Sequence, residues 1–166
     1  MKRTFLVVTM LATFVLPSIL NAAVSDGTRI QNETLKPLAQ WVANATGVKI
    51  SAMPIVTASG TLLKTSLGLQ GAQQARSMAA YLPGQIIINN VIWDPESERS
   101  KSYIVHEMVH HAQLLSGKSY PCHNAKEKEA YELQNRYLIE HGEEPIFSQN
   151  WIDQMSSCHT SLGNQG

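Results

Sequence analysis

The stretch from Trp93 to Gly117, WDPESERSKSYIVHEMVHHAQLLSG, has one good solution as a fold: a single amphipathic helix. Asp94 or Ser97 can cap its start, Pro95 suits a first turn and Gly117 supplies a stop. Ile104, Met108, Ala112 and Leu115 recur at helical spacing, with Val105 and Val109 beside them. Into this apolar pattern the chain inserts His106, Glu107 and His110. On a helix, residues four apart lie one above the other, so His106 and His110 can offer imidazole nitrogens to one point. Zinc accepts such nitrogens in tetrahedral geometry, and catalytic zinc sites use three protein ligands and leave one position open. Glu107 is turned about 100° from His106 and can take a proton from a nucleophilic water without binding the metal. Chance places His-Glu-x-x-His in about one chain in a hundred of this length and composition. His111 points elsewhere and reads as a surface or supporting histidine.

Two histidines need a third ligand. A histidine six residues past His110, as in metzincins, is ruled out because that position is Ser116. The following helix, beginning at Asn124 and stopping at Gly142, offers Glu127, Glu129 and Glu132. Glu127 shares a face with Ala130, Tyr131, Gln134 and Leu138, and small Ala130 lets that face approach a neighbouring helix closely. Glu129 shares the opposite face with Leu133, Arg136 and Tyr137 and is the alternative ligand; if Glu127 fills that place, Glu129 is expected to be a solvated surface carboxylate. Glu127 also completes a capping box with Asn124, a purely structural role. The residues by themselves leave these alternatives open.

IVHEMVHHAQ, then a cysteine, then EKEAYELQNRYL, then a late cysteine resembles a family of small exported bacterial zinc metallopeptidase-like proteins, over roughly residues 80–160. More widely the pattern is similar to gluzincins, whose third ligand is the first glutamate of an E-x-x-x-D motif on the next helix. Laid over this chain, that glutamate is Glu127 and the aspartate position is Tyr131. The resemblance implies a minimal zincin-like α+β fold, with a small sheet or hairpin packed on the histidine helix and a following glutamate-bearing helix. It implies Zn²⁺ held by His106, His110 and Glu127, with Glu107 as general base. Tyr131 departs from the pattern, so either its hydroxyl or another group must orient a ligand histidine. Tyr120, His123, Tyr131 and His141 are candidates for the donor that stabilises a transition-state oxyanion.

The rest of the chain sets the context. Lys2 and Arg3, an apolar run from Phe5 to Leu20 and small residues at Ala22 and Ala23 have the layout of a signal peptide over residues 1–23, leaving residues 24–166 as one domain. Its removal leaves two more acidic than basic side chains, which favours neither nucleic acid nor an anionic membrane surface. No later segment is long and apolar enough to span a bilayer. A secreted or periplasmic chain with two cysteines is expected to pair them as Cys122–Cys158. TLKPLAQWVANATG places Leu35, Leu38, Trp41, Val42 and Ala45 on one helical stripe. VKISAMPIV alternates loosely as a strand, residues 59–77 read as a loop or short helix, and Pro83-Gly84 turns a hairpin between AAYL and QIIIN. QIIIN could be an edge strand that pairs with an extended substrate, or a core strand. A short last helix holds Trp151, Ile152 and Met155. The expected protein is a monomeric zinc-dependent peptidase acting on peptides or proteins. The rivals are an amidase acting on cell-wall amides, a metal-stabilised binding or inhibitory module without catalysis, and a toxin-like secreted factor.

Overall fold

A computed structural model describes residues 24–68 and 78–158. The signal-peptide reading of residues 1–23, part of the loop reading over 59–77 and the last eight residues lie outside them. The fold is α+β, with a small mixed four-stranded sheet and five α-helices among the described residues. In chain order these are β1 (Thr28–Arg29), α1 (Asn32–Thr46), β2 (Ile55–Ala58), α2 (Gly60–Leu67), β3 (Ala79–Leu82), β4 (Gln85–Ile88), α3 (Glu98–Ser116), α4 (Glu127–Glu140) and α5 (Gln149–Met155). A short 3₁₀ turn, Asn124–Lys126, leads into α4.

The sheet runs β1-β2-β4-β3, with β2 parallel to β4 and the other pairs antiparallel. Side chains alternate across a strand. Val56, Ala58, Ile86 and Ile88 therefore face one layer, where α1 contributes Leu35, Leu38 and Val42 and α3 contributes Ile104, Val105, Met108, Val109 and Ala112. Ala80 and Ile87 face the other way, onto Leu63 of α2. The hairpin closes through Gly84 at φ 77°, the left-handed region that glycine enters without steric cost. Because β4 is paired on one side with β2 and on the other with β3, QIIIN is an interior strand and not an edge available to a substrate; the edge beside it is β3.

Two further expectations are corrected. The strand expected over VKISAMPIV begins only at Ile55, whose N–H bonds Gly84 O at 3.0 Å. Pro54 has no N–H to extend the ladder, and residues 48–54 are irregular. Leu115, assigned to the buried stripe of α3, is 39% exposed, because the helix's last turn runs past its packed face.

α3 starts at Ser97, whose Oγ accepts the N–H of Ser100, and ends at Gly117, which is left-handed. α4 returns antiparallel to it. Tyr137 and Glu98 are hydrogen-bonded at one end of the pair, Gln134 donates to Ser102 in the middle at 3.1 Å, and Ala130 is fully buried between them. Cys122 and Cys158 are joined, tying the entrance of α4 to the end of α5. No helix among the described residues is long and apolar enough to cross a membrane.

The disulfide closes a loop across a separation of 36 residues. A Cys122→Ser/Cys158→Ser protein should lose about 3–4 kcal/mol in urea unfolding relative to the oxidised wild type, as the chain-entropy account requires. Equal midpoints would mean that α5 is held by its packing alone.

Candidate metal centre

Antiparallel α3 and α4 bring His106, His110 and Glu127 together. The two imidazole Nε2 atoms lie 3.2 Å apart. Glu127 Oε2 is 3.1 Å from His110 Nε2 and 3.3 Å from His106 Nε2. His106 and His110 are buried and Glu127 is partly so.

The hydrogen bonds behind the cluster decide how it is protonated. Gln113 Nε2 faces two acceptors, Lys126 O at 2.9 Å and Glu129 Oε2 at 3.0 Å. Its Oε1 therefore faces His110 Nδ1, at 2.9 Å, and the imidazole must donate there. A neutral His110 then turns a bare Nε2 lone pair toward Glu127 and His106. In that form three electron-rich atoms converge with at most one proton, from His106, to share; in the imidazolium form the His110 Nε2–H donates to Glu127 instead. A cation at their centre satisfies all three. Ligand atoms about 2.0–2.1 Å from a tetrahedral ion lie about 3.3–3.4 Å from one another, close to the spacing seen. His106 Nδ1 is buried with no hydrogen-bond partner among the described residues, whichever tautomer the ring adopts.

The electrostatics suit a cation. Burial pushes the Glu127 carboxyl up, but the bonds and charges of His106 and His110 outweigh it and hold the group well below the usual carboxylate range. Glu127 is thus ionised at neutral pH, the form that ligates. Burial pushes the His110 imidazole down, and Glu127 and Glu107 more than reverse this, so the ring is held above its ordinary value. The negative surroundings that favour a proton there favour a metal ion equally. Burial raises Glu107, with His106 and His110 partly offsetting it. Glu107 makes no hydrogen bond to any described residue and lines a cavity beside His106 of about 370 Å³.

Several sequence expectations are resolved here. The Asn124–Glu127 capping box does not form; Asn124 Nδ2 bonds Ser157 O at 3.4 Å and the 3₁₀ turn displaces the α-helical start to Glu127. Glu127 is left free for the cluster. Glu129 is not a solvated carboxylate: it accepts from Gln113, from Tyr120 at 3.1 Å and from Lys118 at 3.4 Å. Glu132 lies on the surface near Gln149. Of the four oxyanion candidates, Tyr131 alone borders the cluster, its ring 4.6 Å from that of His106. Tyr120 is spent on Glu129, and exposed His123 has no bond to the cluster. His141 stacks on Tyr137 at 4.1 Å, about 21 Å along α4 from Glu127 at 1.5 Å per residue.

The group that fixes the His110 ring is Gln113, which sequence reasoning missed. Its position three residues beyond His110 puts it on the same face, so the signal was present. His111 is not on the surface. Its Nε2 lies 2.7 Å from Ala52 O and must donate, so its Nδ1 accepts from Tyr81 OH at 3.0 Å. That ring clamps α3 to β3 and to the irregular segment before β2.

Residues 27–161 match a family described as a domain of unknown function, DUF6647. The chain belongs to that family. No curated protein and no solved structure matches it.

Removing the outer bonds should separate metal affinity from stability. Gln113→Leu should weaken metal binding about 10–100-fold, the usual cost of losing a partner behind a ligand histidine, and Glu129→Ala should move affinity in the same direction. His111→Ala should cost about 1–3 kcal/mol of stability by stranding buried groups and leave metal affinity unchanged. Competition titration with a chelating dye, alongside urea melts, checks both.

Proposed function

We propose that this protein is a zinc-dependent peptidase, exported and disulfide-bonded, with His106, His110 and Glu127 as ligands and Glu107 as general base. The observation that carries the reading is the convergence of two imidazole nitrogens and an ionised carboxylate on one point, with a free, buried carboxylate next to it on the same helix. Two nitrogens and one oxygen suit zinc among the common divalent ions. The resemblance of IVHEMVHHAQ and Glu127 to the gluzincin pattern supports the same assignment, and the apolar N-terminal run with the Cys122–Cys158 bridge supports export.

His106, His110 and Glu127 would hold the ion, which would supply activation of a water near neutral pH and polarisation of the carbonyl under attack. Glu107 takes the proton released by the attacking water and returns it to the departing amine. Burial keeps this carboxylate more basic than an exposed one, which favours the proton's uptake. Gln113, held by Glu129 and Lys126 O, fixes the His110 ring through its Nδ1–H. Burial together with Glu127 and Glu107 pushes the Tyr131 phenol up to about 12. It therefore stays a donor at physiological pH and can hydrogen-bond a developing oxyanion. β3, the edge strand whose Ala79 borders the cavity, is the strand that an extended peptide could pair with.

The rival that keeps the metal without chemistry has no use for Glu107. Glu107 is a buried residue whose carboxyl is raised by that burial, and a base in waiting gives it a role.

The purified protein should hold one zinc per chain by elemental analysis, and chelation should lower its melting temperature, because ligation couples to folding. Glu107→Gln should keep the zinc and lose about 10²–10⁴-fold in peptide turnover. An equally active Glu107→Gln protein would falsify the role of Glu107, and a zinc-replete wild type inert on a random peptide library would favour the binding module. Glu127→Ala should lose zinc by orders of magnitude in affinity.

A further inference from the structure

The cavity beside His106 and Glu107 has a wall that, apart from the Tyr131 hydroxyl, the metal chemistry does not need. Tyr131, Phe147 and Trp151 form it as one packed unit. Tyr131 meets Phe147 edge-on at 4.7 Å and Trp151 edge-on at 4.8 Å, and Phe147 stacks on Trp151 at 4.4 Å. Tyr103, Ile146 and Met78 complete the apolar lining.

This wall is built in advance of any ligand. The side chain of Asn135 on α4 accepts the N–H groups of Ile146 and Phe147 at 3.0 and 3.2 Å and donates to Phe147 O at 2.7 Å. Ser148 caps α5 through the N–H of Trp151 at 3.3 Å, and the Cys122–Cys158 bridge anchors the far end of that helix. A segment without regular structure is thereby fixed to α4, the helix that supplies Glu127. The volume, about 370 Å³, lies at the small end of ligand clefts, about 300–1,000 Å³.

We infer that this cavity is the specificity pocket of the enzyme and takes one large neutral apolar side chain, aromatic or long aliphatic, from the substrate residue next to the hydrolysed amide. The inference rests on the peptidase reading above. Among the described residues no lysine or arginine lines the cavity to pair with an acidic side chain. A cationic side chain is disfavoured twice. The stacked faces of Phe147 and Trp151 are turned to each other rather than opened as a cage, and a cation beside Glu107 would quench the base.

Non-cleavable probes separate this pocket from the metal site. Three hydroxamates would be titrated into the zinc-loaded protein by calorimetry: 3-phenylpropionyl, propionyl and 6-aminohexanoyl. The phenyl probe should bind at least ~10-fold tighter than the propionyl probe, as burial of a ring in an apolar pocket requires. In Trp151→Ala and in the milder Phe147→Leu, that ratio should fall toward one while propionyl affinity holds within about twofold, because neither side chain belongs to the cluster that anchors the hydroxamate. Equal affinity of phenyl and propionyl probes for the wild type overturns the pocket and leaves the metal site standing. Preference for the aminohexanoyl probe overturns it in favour of a cation cage. Failure of all three to bind zinc-loaded protein overturns the metal-site reading on which the pocket depends.

Discussion

The packing of α3 against α4 is the constraint on which the rest depends. Ala130, fully buried at the seam, has no side chain beyond Cβ to hold the helices apart. One helix face can therefore carry two imidazoles and the other a carboxylate with their acceptor atoms 3.1–3.3 Å apart. The ends of the pair are pinned by Tyr137 on Glu98 and by Gln113 on Lys126 O and Glu129. A sheet of four short strands could not stand alone. It serves as the floor on which α3 lies, with Ile86 and Ile88 under Val105, Met108 and Val109. A floor of that kind fixes α3 so that α4 sets the site.

α3 is an unusual core helix. His106, Glu107, His110, His111 and Gln113 are all buried, and burying polar groups without partners is expensive. The chain meets that cost by giving each a defined use. His111 bonds Ala52 O and Tyr81, and Gln113 bonds three groups. His106 and His110 meet Glu127. Two points are left open, His106 Nδ1 and the carboxylate of Glu107, and both lie where the proposed chemistry operates. Local disagreement with the rules of a satisfied core is concentrated at one place, as expected of a functional site.

The parts of this molecule legible in its sequence are those governed by neighbours in the chain. Ser97 and Gly117 bound α3, AAYL-PG-QIII folds as a hairpin, and the histidine pair follows from helical geometry alone. What was not legible was decided by partners far along the chain. QIII is hydrophobic at three consecutive positions, a pattern open to either an edge or an interior strand, and the parallel pairing with β2 places it inside. Residues 48–54 alternate like a strand but find no ladder beside Pro54. The Asn124–Glu127 spacing fits a capping box, yet the Asn124 amide is drawn to Ser157, which the disulfide to Cys158 holds nearby. Glu129 lies almost opposite Glu127 on a helical projection, which suggested solvent. The close approach of α3 and the loop beyond it, with Lys118 and Tyr120, gives that second face partners of its own.

The disulfide links stability to the shape of the cavity beside His106. In a domain of this size α5 is a two-turn helix with one fully buried side chain, Ile152, at 1% exposure, and isolated helices of that length are not stable in water. Its position depends on the bridge at one end and the Asn135 clamp at the other. Yet α5 contributes Trp151 to the cavity wall next to His106. His106, His110 and Glu127 sit on the two long helices and do not need α5. Metal binding and the shape of the adjoining cavity are thus assigned to separate structural units, one held by helix packing and the other by a covalent bond. A chain built this way can change what it accepts by altering the segment from Ile146 to Trp151 while its metal centre stays as it is.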